Sequence, residues 1–180
     1  CIRDRFVPVD FVEARKSPGE QPWNILESKQ QLTLNDAYTD LYVGRALTVE
    51  QLNYTRHFDD TEWQTLYLPF ETNVSDWATH CEVAAVDRVQ LSASNGQTRE
   101  AIAEYAVLTE GKLQANQPYL IRAKAAGTVS FTLNNVRIQP TDESPVNLNT
   151  PGYTVSICGN YGIITGDKLT AAKGLSLIHI

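Results

Sequence analysis

Methionine is absent from the chain, position 1 included. No charged n-region followed by an apolar h-region opens it, so no signal peptide is legible and the chain reads as beginning after a cleavage or within a longer protein. Basic residues are few, 15 Lys and Arg against 21 Asp and Glu, for a net charge of -6 and a pI near 5.0. They are scattered, which excludes the clustered cations that a nucleic-acid phosphate backbone requires. No apolar run approaches the ~18 residues of a membrane-spanning helix. Glycine numbers only ten and falls in turn contexts. The Gly-x-Ser-x-Gly nucleophile turn, the phosphate-cradling glycine loop and the dinucleotide fingerprint are all missing.

Cysteine is also scarce, and its count of three is odd. Cys81 and Cys158 either pair across two strands or stay buried as small apolar thiols; spacing alone does not decide. Cys1 has the residue type of a lipid-bearing N-terminus, but Ile2 to Val12 reads as strand rather than the flexible tether of a lipid anchor. The three histidines, His57, His80 and His179, have no partner at ligand spacing. His80 and Cys81 are adjacent, and neighbours on a strand point to opposite faces, which separates a base from its nucleophile. Asp59-Asp60, Asp142-Glu143 and Asp36/Asp40 sit among turn residues and form no Asp-x-Asp-x-Asp-Gly calcium loop. Nothing singles out two of them as a glycosidase pair. The expectation is a protein without cofactor or metal and without catalytic residues of its own.

What the chain does have is alternation. Hydrophobic residues make up 42% and charged residues 20%, an ordinary globular balance. Leu47 and Val49 share one parity; Leu52, Tyr54, Arg56 and Phe58 share the other. Trp63, Thr65 and Tyr67 alternate with Leu66, Leu68 and Phe70. Val83 to Leu91, Tyr119 to Lys124, Thr128 to Leu133, Val136 to Ile138 and Tyr153 to Ile157 repeat the pattern, bounded by turn signals such as Asp59-Asp60 and Asn95-Gly96. Arg99 to Leu108 has mixed propensity, and the turns that bracket it favour strand. Ser75-Asp76 before Trp77 suggests one capped helical turn. Short strands with regular turns predict an all-β, antiparallel sandwich of jelly-roll-like character, with Leu66, Leu68, Phe70, Leu120, Phe131 and Leu133 inward. Ser17-Pro18-Gly19 and Pro22 mark a loop, so residues 1–31 are expected to be the end of a preceding segment, with the module spanning 32–174.

Tyr54-x-Arg56-x-Phe58, the Trp63 to Phe70 segment WQTLYLPF and the Ala115 to Ala123 stretch ANQPYLIRA occur in that order. Together with LTLNDAYTDLYVGRALTVEQLNYTRHF they resemble a recurrent β-rich module of large surface proteins from Bacteroides- and Prevotella-type bacteria, over roughly Leu32 to Ile164. The resemblance implies a secreted or cell-surface accessory domain that accompanies leucine-rich, adhesin-like or sorting domains. It carries no catalytic residues. It also implies a further strand beyond Gly174, hence a module incomplete at its C-terminus. The last six residues, Leu175 to Ile180, match a translation of CTG TCT CTT ATA CAC ATC, a string that resembles a sequencing adapter, so 175–180 is expected to be an artefact.

Two functions follow as expectations. The first is a non-catalytic extracellular module, spacer or adhesive, of a larger surface protein. The second is a carbohydrate-binding module attached to a glycan-degrading enzyme, with Trp63 and Trp77 as a stacking platform. The expected partners are a host or dietary glycan or another surface protein. Exposure of the two indoles separates these readings.

Overall fold

The structure is a computed structural model that describes residues 12–17, 19–27, 30–35, 38, 40–91, 101–142, 144–150 and 153–157. The strands run in chain order as β1 (Val12–Arg15), β2 (Trp23–Asn24), β3 (Leu26–Glu27), β4 (Gln31–Asn35), β5 (Asp40–Val43), β6 (Leu47–Phe58), β7 (Gln64–Tyr67) and β8 (Thr72–Asn73). After the four-residue helix α1 (Val74–Trp77) come β9 (Cys81–Leu91), β10 (Ala101–Leu108), β11 (Lys112–Leu113), β12 (Pro118–Ala123), β13 (Gly127–Ile138), β14 (Val146–Thr150) and β15 (Tyr153–Ile157). Cys1, Cys158, the Asn95-Gly96 turn and the Leu175 to Ile180 tail lie outside the described residues.

The fold is an all-β sandwich. One sheet has the order β13-β6-β4-β3 and the other β10-β9-β12-β7. All described pairings are antiparallel except β4 with β6, which run parallel. The chain crosses between the sheets twice, through the bend at Asp59-Asp60 and through Lys124 to Ala126. Arg99 to Leu108 resolves in favour of strand, since Ala101 to Leu108 lies against β9 with a bulge between Glu104 and Tyr105. Period-two burial is plainest in β4. Leu32 and Leu34 face in, as do Tyr119, Ile121 and Ala123. Leu66, Leu68 and Phe70 are buried in the core, and Phe131 and Leu133 pack half-buried on it. Leu120, expected inward, is instead buried on the other face of β12, between Ala84 and Thr65 and outside that core, because it alternates with Tyr119 and Ile121.

β6 and β13 change their inward face together. Val49 and Val136 are inward on one side of the change, Leu52 and Leu133 on the other. The ladder keeps a single register throughout, from Phe58 opposite Gly127 to Leu47 opposite Ile138, so no residue is inserted. The turnover falls at Asn135, whose φ of 53° is left-handed. Asn tolerates that region better than other non-glycine residues. Nearby, the Glu50 N–H donates to the carbonyl of Gln30, itself at φ 53°. The parity change read in the sequence between Val49 and Leu52 thus has a backbone cause.

The boundary expected at residue 31 is not there. β1 pairs with β5, β3 pairs with β4, and Val12, Ala14 and Ile25 belong to the same core as Leu52, Phe70 and Ile138. The Ser17 to Pro22 loop is therefore a turn inside one packed unit rather than a linker. α1 is capped by Asn73, with Asp76 at the third helical position accepting from the Asn73 N–H, so Asp76 is the second half of a capping box rather than the cap.

Candidate functional site

Trp77 is the indole that the structure removes from the expected platform. It is 1% exposed, the largest of the fully buried side chains. Its ring meets Phe131 edge-on at 4.7 Å and Tyr54 at 5.3 Å, and Tyr54 stacks on Phe131. Burial leaves it no face for a sugar ring. Trp63 is half-buried, and the Arg122 guanidinium lies 4.7 Å from its ring centre. Arg122 in turn donates to Glu82 at 2.6 Å. The two indoles do not form an exposed coplanar pair, because one closes the core and the other carries a cation.

His80, exposed in the turn before β9, and Cys81, a buried free thiol at the start of β9, point apart. Burial raises the thiol pKa, partly opposed by Arg56 and Lys124. His57 is exposed, 3.5 Å from Asp59 and 3.1 Å from the Thr128 hydroxyl. Hydrogen bonds from Ser144 lower the Asp142 pKa. Arg88 bonds Glu104 at 2.6 Å, which raises the guanidinium pKa further. Among the described residues no group of three or more His, Cys, Asp or Glu side chains could hold a metal. A groove of about 520 Å³ runs beside α1, lined in part by Glu71, Asn73, Asp76, Lys112 and Arg137. Its acids are engaged locally, Asp76 with Thr72 and Asn73, Glu71 with Lys112 at 3.7 Å.

The most coherent exposed feature is a sheet face. Beyond the Asn135 turnover, the outward side of three strands carries Gln31, Thr33 and Asn35 from β4, Gln51, Asn53, Thr55 and His57 from β6, and Thr128, Ser130, Thr132 and Asn134 from β13. All are half-exposed or exposed. The register aligns them in rows: Asn134, Gln51 and Gln31; then Thr132, Asn53 and Thr33; then Ser130, Thr55 and Asn35; then Thr128 beside His57. Within the rows, Thr132 donates to Asn53 at 2.9 Å, and the Thr55 and Ser130 hydroxyls lie 3.0 Å apart. No Lys, Arg, Asp, Glu, aliphatic, Phe, Tyr or Trp side chain occupies these eleven positions; the His57 imidazole is the one ring and the one titratable group among them. The expectations from sequence did not include this face. Its signal is nevertheless in the alternation itself, in Gln31-Leu-Thr-Leu-Asn35, Gln51-Leu-Asn-Tyr-Thr-Arg-His57 and Thr128-Val-Ser-Phe-Thr-Leu-Asn134.

No family model, curated protein or solved structure matches the chain. Among the described residues no helix is long and apolar enough to cross a membrane.

Proposed function

We propose that the chain is a non-catalytic extracellular module of a larger bacterial surface protein, acting as a cohesive spacer that presents an adhesive face. One observation carries the reading: among the described residues, the closest charged pairs join neighbouring strands and the buried indole closes the core, so none of them is gathered into a reacting centre. Glu82 and Arg122 bond across β9 and β12, Arg88 and Glu104 across β9 and β10, and Arg122 covers Trp63. Trp77 closes the core with Tyr54 and Phe131. Among the described residues, what this leaves for a partner is a surface. Location outside the cell rests on the motif resemblance at Tyr54 to Phe70 and Ala115 to Ala123.

Two measurements test this. The purified chain, incubated with a polysaccharide and peptide panel, should release neither reducing ends nor new amino termini above blank. Turnover that survives repurification would overturn the non-catalytic reading. On intact cells of the source bacterium, the parent protein should react with a membrane-impermeant biotin reagent; labelling only after lysis would overturn the surface assignment.

A further inference from the structure

We propose that the outward face of β4, β6 and β13 binds a neutral glycan chain, its hydroxyls exchanging hydrogen bonds with the rows that contain Asn53, Thr55, Ser130 and Thr132. This deepens the adhesive part of the function proposed above and rests on it.

The face selects its ligand by what its side chains can and cannot do. Ser and Thr hydroxyls each donate once and accept twice, and Asn and Gln amides donate and accept at separate atoms. A surface of such groups matches a ligand that also presents donors and acceptors intermingled, which is the character of a polyol. An anionic ligand would call for Arg or Lys in fork geometry. A protein partner would call for aromatic or Arg anchors at the centre of its footprint. Neither type occupies the eleven positions. Charges lie at its edges: on β3 Glu27 pairs with Gln31 and accepts from Thr33, Asp59 lies beside His57, and Glu50 and Arg137 lie beyond the turnover at Asn135.

Repetition points to a polymer. Strands about 4.8 Å apart and alternate residues ~6.8 Å apart set hydroxyl and amide groups, different in each row, at regular intervals along both directions. A chain of sugar units offers its hydroxyls at regular intervals as well. The side chains are also held before a ligand arrives. Thr132 is bonded to Asn53, Thr55 to Ser130 and His57 to Thr128. Fixing rotamers beforehand lowers the entropy cost of binding. Each bonded pair keeps capacity for more: the Asn53 amide N–H groups, and the lone pairs of the Thr132, Thr55 and Ser130 hydroxyls. Lacking a Trp, Tyr or Phe ring to stack on, a single face binds weakly.

The test is isothermal titration of the full chain with cellohexaose, xylohexaose, mannohexaose and maltohexaose, and with hexagalacturonate as the anionic probe. At least one neutral hexasaccharide should bind and hexagalacturonate should not. Asn53→Ala with Thr132→Ala should weaken binding by about tenfold or more at an unchanged melting temperature. Arg88→Ala, on the other sheet, should leave it unchanged. Should the double variant misfold, Ser130→Lys places a charge on the face and should abolish binding by itself. The proposal is overturned if no neutral probe binds up to its solubility limit. It is equally overturned if hexagalacturonate binds as well as the neutral probes, or if every face variant that folds binds within about twofold of the parent chain. Failure of all neutral probes, with surface labelling intact and no turnover, would leave the spacer function standing; release of reducing ends would instead bring down the non-catalytic reading.

Discussion

Trp77 buries its indole among Tyr54 and Phe131, yet its Nε1 has no hydrogen-bond partner. Replacing it with Ala should cost about 3–5 kcal/mol, the usual consequence of emptying a large aromatic site. Trp77→Phe should cost clearly less than volume alone implies. It also removes an N–H whose unpaired burial is itself worth about 1–3 kcal/mol. Chemical denaturation checks this; a Trp77→Phe loss as large as the lost volume alone implies would mean that the N–H is satisfied. Cys81 gives a pH signature. Burial raises its pKa above the usual 9.0, against the pull of Arg56 and Lys124. A raised folded-state pKa contributes stability that is fully present below the unfolded value and is lost as pH climbs through the folded one. The melting temperature should therefore fall as pH rises above about 9, before the tyrosines, whose usual value is 10.0. Cys81→Ala should flatten the first part of that fall; an unchanged slope would place its origin elsewhere. At this scale, facing was legible and depth was not. Alternation placed Leu66, Leu68 and Phe70 inward, whereas nothing in a single strand or turn distinguishes an indole that closes a core from one that a ligand meets. Trp77 is the last residue of the helical turn α1, and its burial depends on β6 and β13, which come from distant parts of the chain.

Asn135 governs the element scale. A single left-handed residue turns over the inward side of two paired strands without a shift of register. Asn135→Val puts a β-branched side chain into that conformation and should destabilise the fold by about 1–3 kcal/mol. Asn135→Gly, which adopts the same φ without a steric penalty, should be close to neutral. Thermal unfolding of the pair decides: equal stability of Val and Gly at this position would show that the backbone does not hold the turnover. The change of parity between Val49 and Leu52 is visible in the sequence, although the residue that causes it is not. Its partner strand lies about eighty positions away, and pairing is a tertiary fact. The same limit explains the misplaced boundary near residue 31. Ser17-Pro18-Gly19 is a turn signature whether the chain leaves a domain or doubles back within one. Here Gly19, at φ 85°, returns the chain so that β2 pairs with β1. The polar face was legible in the same way, as every second residue of three strands, but only the register of β4, β6 and β13 assembles those residues into rows.

At the scale of the whole molecule, one core joins Val12 to Ile138. Deleting residues 1–31 removes Val12, Ala14 and Ile25 from it and takes away β3, the edge partner of β4, and β1, the partner of β5. That variant should melt at least ~10 °C lower than the full chain, the size of shift that a loss of a few kcal/mol produces in a domain of this length. An unchanged midpoint would restore a boundary near residue 31. The functional account also belongs to this scale, because it places recognition on a broad face instead of in a cleft. Its most direct test is a ¹H–¹⁵N correlation spectrum of the full chain titrated with the neutral hexasaccharide that gives the strongest heat. The account predicts that shifted amides cluster on β4, β6 from Gln51 to Phe58 and β13 from Gly127 to Asn134, with the side-chain amides of Asn53 and Asn134 among them. Shifts concentrated around Trp63 and Arg122, or in the groove beside α1, would contradict it.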